Sequence, residues 1–242
     1  MSVERLDKLL ASQGMKGRSD VKRIISAGRV TINGVVVKSA GIKTDSESDI
    51  ICIDGKQIFI EKYVYYIMNK PAGVVCATND NISKTVIDII PPQYRRKDLF
   101  PVGRLDRDTE GLLLITNDGQ FAHNITAPSK KIYKTYYAEI DSEINQQDIE
   151  AFEQGIVFKD GTVCKKAYLS CADSRDSFAV KVKICEGMFH QVKKMLAVRG
   201  KKVLYLKRIA IGNLFLDNNL NKGDVKKVSF LDISNKIVGE MH

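Results

Sequence analysis

Pro101-Val102-Gly103-Arg104-Leu105-Asp106-Arg107-Asp108-Thr109-Glu110-Gly111-Leu112-Leu113-Leu114-Ile115-Thr116-Asn117-Asp118-Gly119 changes character halfway along. Its first half is crowded with charge and its second half is an apolar run closed by a turn signal. Such a run predicts a buried strand over Leu112 to Thr116, with the charged half as a loop at its entrance. In that loop the carboxylate of Asp106 sits between Arg104 and Arg107. Loops held by a rigid strand are where binding and catalytic side chains concentrate.

Upstream, Tyr63 to Met68 is a strand by composition, Asn69-Lys70-Pro71-Ala72-Gly73 a turn, and Val74 to Ala77 a continuing strand. Thr85 is placed to cap a short helix holding Val86, Ile87, Ile89 and Ile90, which Pro91-Pro92 stops. Tyr94 to Asp98 is a basic loop. Downstream, the pattern predicts a helical turn over Gln120 to Ile125, a strand over Lys134 to Ile140, and a helix over Asn145 to Gln154 ended by Gly155. Residues 162 to 185 alternate as strands around an Asp173-to-Asp176 turn. A helix follows over 188 to 199 with Gly200 at its end, and 202 to 216 read as strand. Strands and helices mix without a regular βαβ period, which predicts an α+β fold with a central mixed, largely antiparallel sheet.

The N-terminal residues form a smaller α+β unit. Ser2 is placed to cap a helix with Val3, Leu6, Leu9 and Leu10 on one face, and Ser19 a second helix with Val21, Ile24 and Ile25 inward, ended by Gly28. Asn33-Gly34 between two β-rich runs predicts a hairpin. A third strand, Asp49 to Ile53, and an Asp54-Gly55 turn follow. The boundary falls near Glu61, giving domains 1–60 and 61–242.

With 242 residues the chain can build one or two cored domains. No apolar run reaches membrane-spanning length, and no hydrophobic block follows Met1-Ser2-Val3-Glu4-Arg5, so a cytoplasmic protein with no membrane partner is expected. Five scattered cysteines without CxxC spacing read as buried free thiols, and with only three histidines a metal site is poorly supported. Net charge is +9. Residues 1 to 43 carry nine Lys/Arg against three acids, and residues 188 to 208 carry seven and no acid. Two basic blocks in a folded chain point to a polyanionic partner, a nucleic acid.

Asp106, Asp108 and Glu110 have the spacing of the start of a calcium loop, but Leu112 to Ile115 and Asn117 occupy the positions of the remaining oxygen ligands. Asp108 and Thr109 read as turn residues, with Arg104 neutralising the acids. A carboxylate such as Asp106 can act as a covalent nucleophile when ionised, oriented and short of water. A neighbouring cation favours the ionised form, and Lys193 is the candidate. On its helix Phe189, Val192, Leu196 and Val198 can turn inward, while His190, Lys193 and Lys194 share another face, read as a wall toward RNA.

Two resemblances join these readings. Arg5-Leu6-Asp7-Lys8-Leu9-Leu10, Arg18-Ser19 and Ala27-Gly28-Arg29-Val30-Thr31-Ile32-Asn33-Gly34 resemble the S-four-like RNA-binding domain, which implies that Arg5, Lys8, Arg18, Lys22 and Arg29 face a structured RNA. Gly103-Arg104-Leu105-Asp106-x-Asp108-Thr109-x-Gly111-Leu112 is one of four motifs that resemble the RNA pseudouridine synthases. The others are Asn69-Lys70-Pro71-x-Gly73, Lys134-Thr135-Tyr136 and Glu186-Gly187-x-x-His190-Gln191-Val192-Lys193. With the N-terminal domain the match is to the RsuA-type group acting on ribosomal RNA.

That resemblance implies the pseudouridine synthase fold, Asp106 as nucleophile, Tyr136 packed on the target base and aiding proton removal, and Lys193 paired with Asp106. It implies RNA contacts for Arg104, Lys70, His190 and Lys194, and gives Gly103 and Gly111 a close approach to RNA. The reaction it implies isomerises a uridine after flipping it from its stack, without metal, nucleotide or organic cofactor. The expected partner is 16S rRNA in an assembling small subunit, met by a monomer. The same reaction on 23S rRNA, and a non-catalytic rRNA-binding assembly factor, stay open. Lys193 stands where many relatives carry arginine, Ala138 where valine is commoner, and Arg107 at a variable position with no assigned role.

Overall fold

Leucines and isoleucines at helical spacing gather the N-terminal residues around one small core. The structure, a computed structural model, describes residues 3–15, 17–172 and 178–238. Two compact units result, Met1–Tyr63 with Pro91–Leu99, and Val64–Ile90 with Phe100–His242.

The first unit runs β1 (Val3–Arg5), α1 (Leu6–Ser12), α2 (Arg18–Ser26), β2 (Val30–Ile32), β3 (Val35–Val37), β4 (Lys43–Asp45), β5 (Ile51–Ile53) and β6 (Lys56–Gln57). Leu6, Leu9, Leu10, Val21, Ile25 and Val30 lie in its buried core. Asn33 and Gly34 turn β2 into β3 with φ of 51° and 80°, the left-handed pair that a two-residue hairpin needs. The first helix begins at Leu6, later than expected. Val3 is an exposed β1 residue opposite Asp45 of β4, and Ser2 lies outside the described residues. The helix's first N–H groups, of Leu6 and Asp7, donate to the carbonyls of Ile42 and Ala40 at 2.9 and 3.1 Å. A distant backbone segment therefore does the work expected of a capping serine. Ser19 likewise sits inside the first turn of α2, where the Gly17 carbonyl accepts from Asp20 and Val21. The basic loop groups with this unit: Arg96 Nη1 donates to the Glu61 carbonyl at 2.7 Å.

The second unit comprises β7 (Tyr65–Lys70), β8 (Phe100–Pro101), β9 (Glu110–Thr116), α3 (Gly119–Thr126), β10 (Lys134–Ile140), α4 (Gln146–Gln154), β11 (Tyr168–Ala172), β12 (Phe178–Ile184), α5 (Gln191–Val198), β13 (Val203–Ile211), β14 (Leu214–Phe215), β15 (Val225–Val228) and α6 (Phe230–Val238). Among the described residues nine strands form one sheet in the order β11-β12-β10-β13-β9-β7-β15, with β14 on β13 and β8 on β9. Among the described residues only β9 and β13 of this sheet pair in parallel, so the sheet is mixed and largely antiparallel, as the sequence predicted. All of β9 is buried. Leu112 and Leu114 join Tyr65 and Ile67 of β7 in one cluster with Phe121 of α3 and Ile233 of α6.

Several local expectations change. Asn69 and Lys70 continue β7, and residues 74–77 contribute one bridge, Val75 to Thr85, in place of a strand. Thr85 to Ile90 is a turn in which the Asp88 carboxylate accepts from both Thr85 N–H and Oγ1. Its β-branched run is too short to recover the cost of starting a helix. The last predicted helix starts at Gln191, because His190 is left-handed (φ 54°). The Asp173-to-Asp176 turn lies outside the described residues. The helix predicted over Asn145 to Gln154 forms from Gln146 and ends at Gly155 as expected, while Asn145 itself is its cap: its side chain accepts from Asp148 N–H, and the Asp148 carboxylate accepts from Asn145 N–H.

Gly111, expected to let RNA approach, serves the sheet instead. It is buried at φ 102°, and a Cβ there would lie 2.2 Å from the Arg208 carbonyl oxygen of β13. Gly111→Ala is therefore expected to cost about 3 kcal/mol or more of stability in urea unfolding, from backbone strain plus a clash. Gly103→Ala, where φ is 76° but the nearest neighbour is the Thr126 Cγ2 methyl at 3.4 Å, should cost only about 1–2 kcal/mol.

Candidate active site

The loop ahead of β9, the strand β10 and the start of α5 meet around Asp106. Lys70, at the end of β7, is fully buried. Its Nζ donates to the carbonyls of Pro71 (3.1 Å), Asp106 (3.1 Å), Arg107 (3.2 Å) and Thr109 (2.8 Å). Burial holds its pKa below the usual lysine value, against the pull of Cys76 and nearby acids. Lys70 thus cannot reach RNA, and the expected contact is corrected: the ammonium ties the Asp106 loop to the sheet. Gly73 N–H donates to the Arg107 carbonyl at 2.8 Å, Arg107 Nε returns a bond to the Gly73 carbonyl at 3.2 Å, and Leu105 N–H donates to Cys76 Sγ at 3.3 Å.

The three acids of this loop go to three places, which removes the calcium reading. Glu110 is buried and accepts from Tyr205 OH at 2.6 Å and Lys222 Nζ at 2.9 Å. The exposed Asp108 carboxylate takes Lys193 Nζ at 2.7 and 2.8 Å, and this bond draws its pKa below the ordinary aspartate value. Asp108 therefore does more than shape a turn. Asp106, half-buried, has Lys193 Nζ at 3.5 Å from Oδ2 and His190 Nε2 at 3.6 Å from Oδ1. The expected pairing of Lys193 with Asp106 is present, but its short bonds go to Asp108.

Starting α5 at Gln191 leaves Val192 and Leu196 inward as expected and puts Phe189 ahead of the helix. Gln191, Val192, Met195 and Leu196 face the core, while Phe189 and Val198, expected inside, are exposed. The buried Gln191 amide donates to Glu186 Oε1 at 2.7 Å, and its oxygen accepts from Met188 N–H at 3.0 Å. Sequence reasoning missed this lock on the turn that presents His190, although Glu186-x-x-x-x-Gln191 lay inside a motif already singled out. Phe189 stacks on His190, with ring centroids 3.8 Å apart and an interplanar angle of 19°. Lys194 is exposed, its Nζ 5.3 Å from the Phe189 ring centroid.

Tyr136 is buried on β10, opposite Arg208 of β13. It backs a cavity of about 60 Å³ walled by Asp106, Ile184, Met188, Val192 and Leu206, with exposed Arg104 also lining it. Below, Arg208 Nε donates to the Leu112 carbonyl at 2.8 Å, and its buried Nη2 has no partner among the described residues. Burial, then the nearby Arg208, lower the pKa of Lys134 to about 8. This slot, with apolar side chains on one wall and a carboxylate, a phenol, Arg104 and His190 among its polar edges, suits a flat, uncharged ring with polar edges.

In the first unit Arg5, Lys8, Arg18, Lys22 and Arg29 are all exposed. Three have acid partners within the unit: Arg5 with Asp7 (3.0 Å), Lys8 with Glu4 (3.1 Å) and Arg29 with Asp54 (2.8 Å from Nε). All five cysteines are free, but only Cys164 and Cys185 are buried, and Cys171 is exposed. No described helix is long and apolar enough to cross a membrane.

Residues 64–198 match the RNA pseudouridylate synthase family, and residues 4–51 match the S4 domain. The chain belongs to the RNA pseudouridylate synthase family. It is 39% identical to the uncharacterised RNA pseudouridine synthase YtzG of Bacillus subtilis, over 93% of this chain and 95% of that one. It is 36% identical to ribosomal small subunit pseudouridine synthase A of Yersinia pestis, over 98% and 99% of the two chains. Ribosomal large subunit pseudouridine synthase B of Bacillus subtilis is 33% identical, over 94% and 93%. A crystal structure of a pseudouridylate synthase superposes with a TM-score of 0.66 at 34% identity, covering 97% of this chain and all of that one.

The lowered pKa of Lys134 has a signed consequence. The folded chain releases this proton near pH 8, whereas an unfolded lysine holds it to about 10.5. Between those values the unfolded state binds more protons, so stability rises with pH. Relative to Lys134→Met, the wild type should gain about 2 kcal/mol from pH 8 to 10.5 in chemical unfolding, a figure discounted for incomplete burial.

Proposed function

We propose that this protein isomerises a uridine of 16S rRNA to pseudouridine in the cytoplasm, acting as a monomer on an assembling small subunit. The observation that carries the reading is the small cavity shared by Asp106 and Tyr136, with the Lys193 ammonium 3.5 Å from the carboxylate. The small-subunit name of the Yersinia pestis relative, aligned over nearly the full length of both chains, supports 16S rRNA. The net charge of +9 and the exposed cations of the first unit supply attraction for phosphates, which position more than they specify.

A uridine stacked in a helix hides both its sugar and its base from a carboxylate in a walled slot, so the nucleotide must leave its stack. Arg104, exposed at this cavity, contacts the backbone or occupies the vacated place. Asp106 acts as nucleophile, and the bond from base nitrogen to ribose breaks. The base turns within the slot against Tyr136. A carbon–carbon bond to the ribose then forms as the Asp106 carboxylate leaves the ribose carbon it had attacked, the base carbon loses its proton with help from Tyr136, and the freed nitrogen gains one. Atoms and electrons balance within the substrate, so no co-reactant is consumed.

A second reading, the same reaction on 23S rRNA, is favoured by the similarity to large subunit synthase B. Pseudouridine mapping of both rRNAs, from cells with and without the gene, separates the two. Loss of one 16S pseudouridine is expected, loss from 23S would transfer the assignment, and no loss from either would overturn it. Asp106→Asn should lower isomerisation by at least about a thousand-fold while RNA binding survives. Substantial activity in that variant would remove the nucleophile role.

A further inference from the structure

A second cavity, of about 260 Å³, adjoins the first. Arg104, Asp106 and His190 wall both, while Val75, Arg107 and Phe189 belong to the second alone. Three observations mark it as built for a ligand. Phe189 is 68% exposed, yet its ring is stacked on His190. An exposed ring in an ordered stack contributes little to a core and presents a flat apolar surface. His190 holds a left-handed backbone (φ 54°, ψ 33°), a conformation that costs a non-glycine residue energy and persists where its surroundings enforce it. Here the Gln191 amide, bonded to Glu186 and Met188, enforces it. The third observation is charge: Arg104 and Arg107 are exposed at this cavity, and Lys194 stands by the Phe189 ring.

We propose that the Phe189–His190 ring pair and its cavity form a subsite for the nucleobase directly adjacent to the flipped uridine. The inference rests on the reading that a uridine enters beside Asp106. When that uridine leaves the stack, its neighbour loses a stacking partner. A ring platform next to the slot replaces the lost face, and the two arginines meet the phosphates on either side. Base stacking on an aromatic ring is tolerant of sequence, so the subsite fixes strand position more than base identity.

The probe is a short oligocytidylate with one central uridine and a photoreactive 5-iodocytidine directly 5′ or directly 3′ of it. Irradiation of the wild-type complex should crosslink Phe189 or His190 in one of the two arms. Phe189→Ala should weaken binding about ten-fold or more and lose that crosslink, Phe189→Tyr should restore both, and Phe189→Leu should not. All three should unfold at the wild-type temperature, because the ring is exposed. Crosslinks only elsewhere, no crosslink in either arm, or unchanged affinity in Phe189→Ala would each overturn the subsite. A dimer that Phe189→Ala converts to monomer, with RNA affinity unchanged, would assign the ring to a second copy and also overturn it. Pseudouridine in cellular rRNA is scored separately. Normal modification without the crosslink sinks the subsite alone; missing modification with the crosslink sinks the proposed reaction alone.

Discussion

One buried ammonium holds the site together. Removing a lysine head group from water is costly unless polar groups replace the lost hydration. Four carbonyl oxygens do so for Lys70, and three of them, from Asp106, Arg107 and Thr109, belong to the loop that carries the acids. The contact is to backbone, so it fixes the path of the loop whatever its side chains do. Lys70 ends β7, which pairs with β9. β9 meets β13 at Gly111, and β13 carries Arg208 opposite Tyr136 on β10. Asp106 and Tyr136 are thus placed against each other through one continuous sheet.

Elements whose cause is local were legible in the sequence. Leu112 to Thr116 is a buried run, Asn33-Gly34 a left-handed turn, Gly155 the end of a helix, and each appears where the pattern puts it. Elements whose cause is distant were not. The carbonyls that start α1 come from Ala40 and Ile42, and no pattern within residues 1 to 12 announces them. Lys70 shows the same limit from the other side: in a basic chain a lysine in a motif reads as a cation for RNA, and only the fold reveals the carbonyls converging on it. Phe189 misled because hydrophobicity was read as burial, and a three-residue shift in the start of α5 turned the ring outward. Of the three residues assigned to chemistry, none was identified by its own neighbourhood. They stand 30 and more positions apart, and the resemblance of four motifs to one family brought them together before the sheet did.

The distances around Asp106 bear on how a carboxylate can be oriented and still react. Short charged hydrogen bonds occupy oxygen lone pairs and spread their charge. Lys193 gives its two short bonds to Asp108 and stands 3.5 Å from Asp106 Oδ2, with His190 Nε2 3.6 Å from Oδ1. Both separations exceed hydrogen-bonding length. Each oxygen of Asp106 therefore faces one nitrogen that steers it without occupying it, which suits the nucleophile proposed here. A guanidinium in place of Lys193 would offer a planar fork that engages one carboxylate at two points. The ammonium, a point charge with rotatable donors, can serve two acids at different distances. On this argument Asp108 belongs with Lys193 as one unit: it anchors the cation that Asp106 needs nearby but must not bind too tightly.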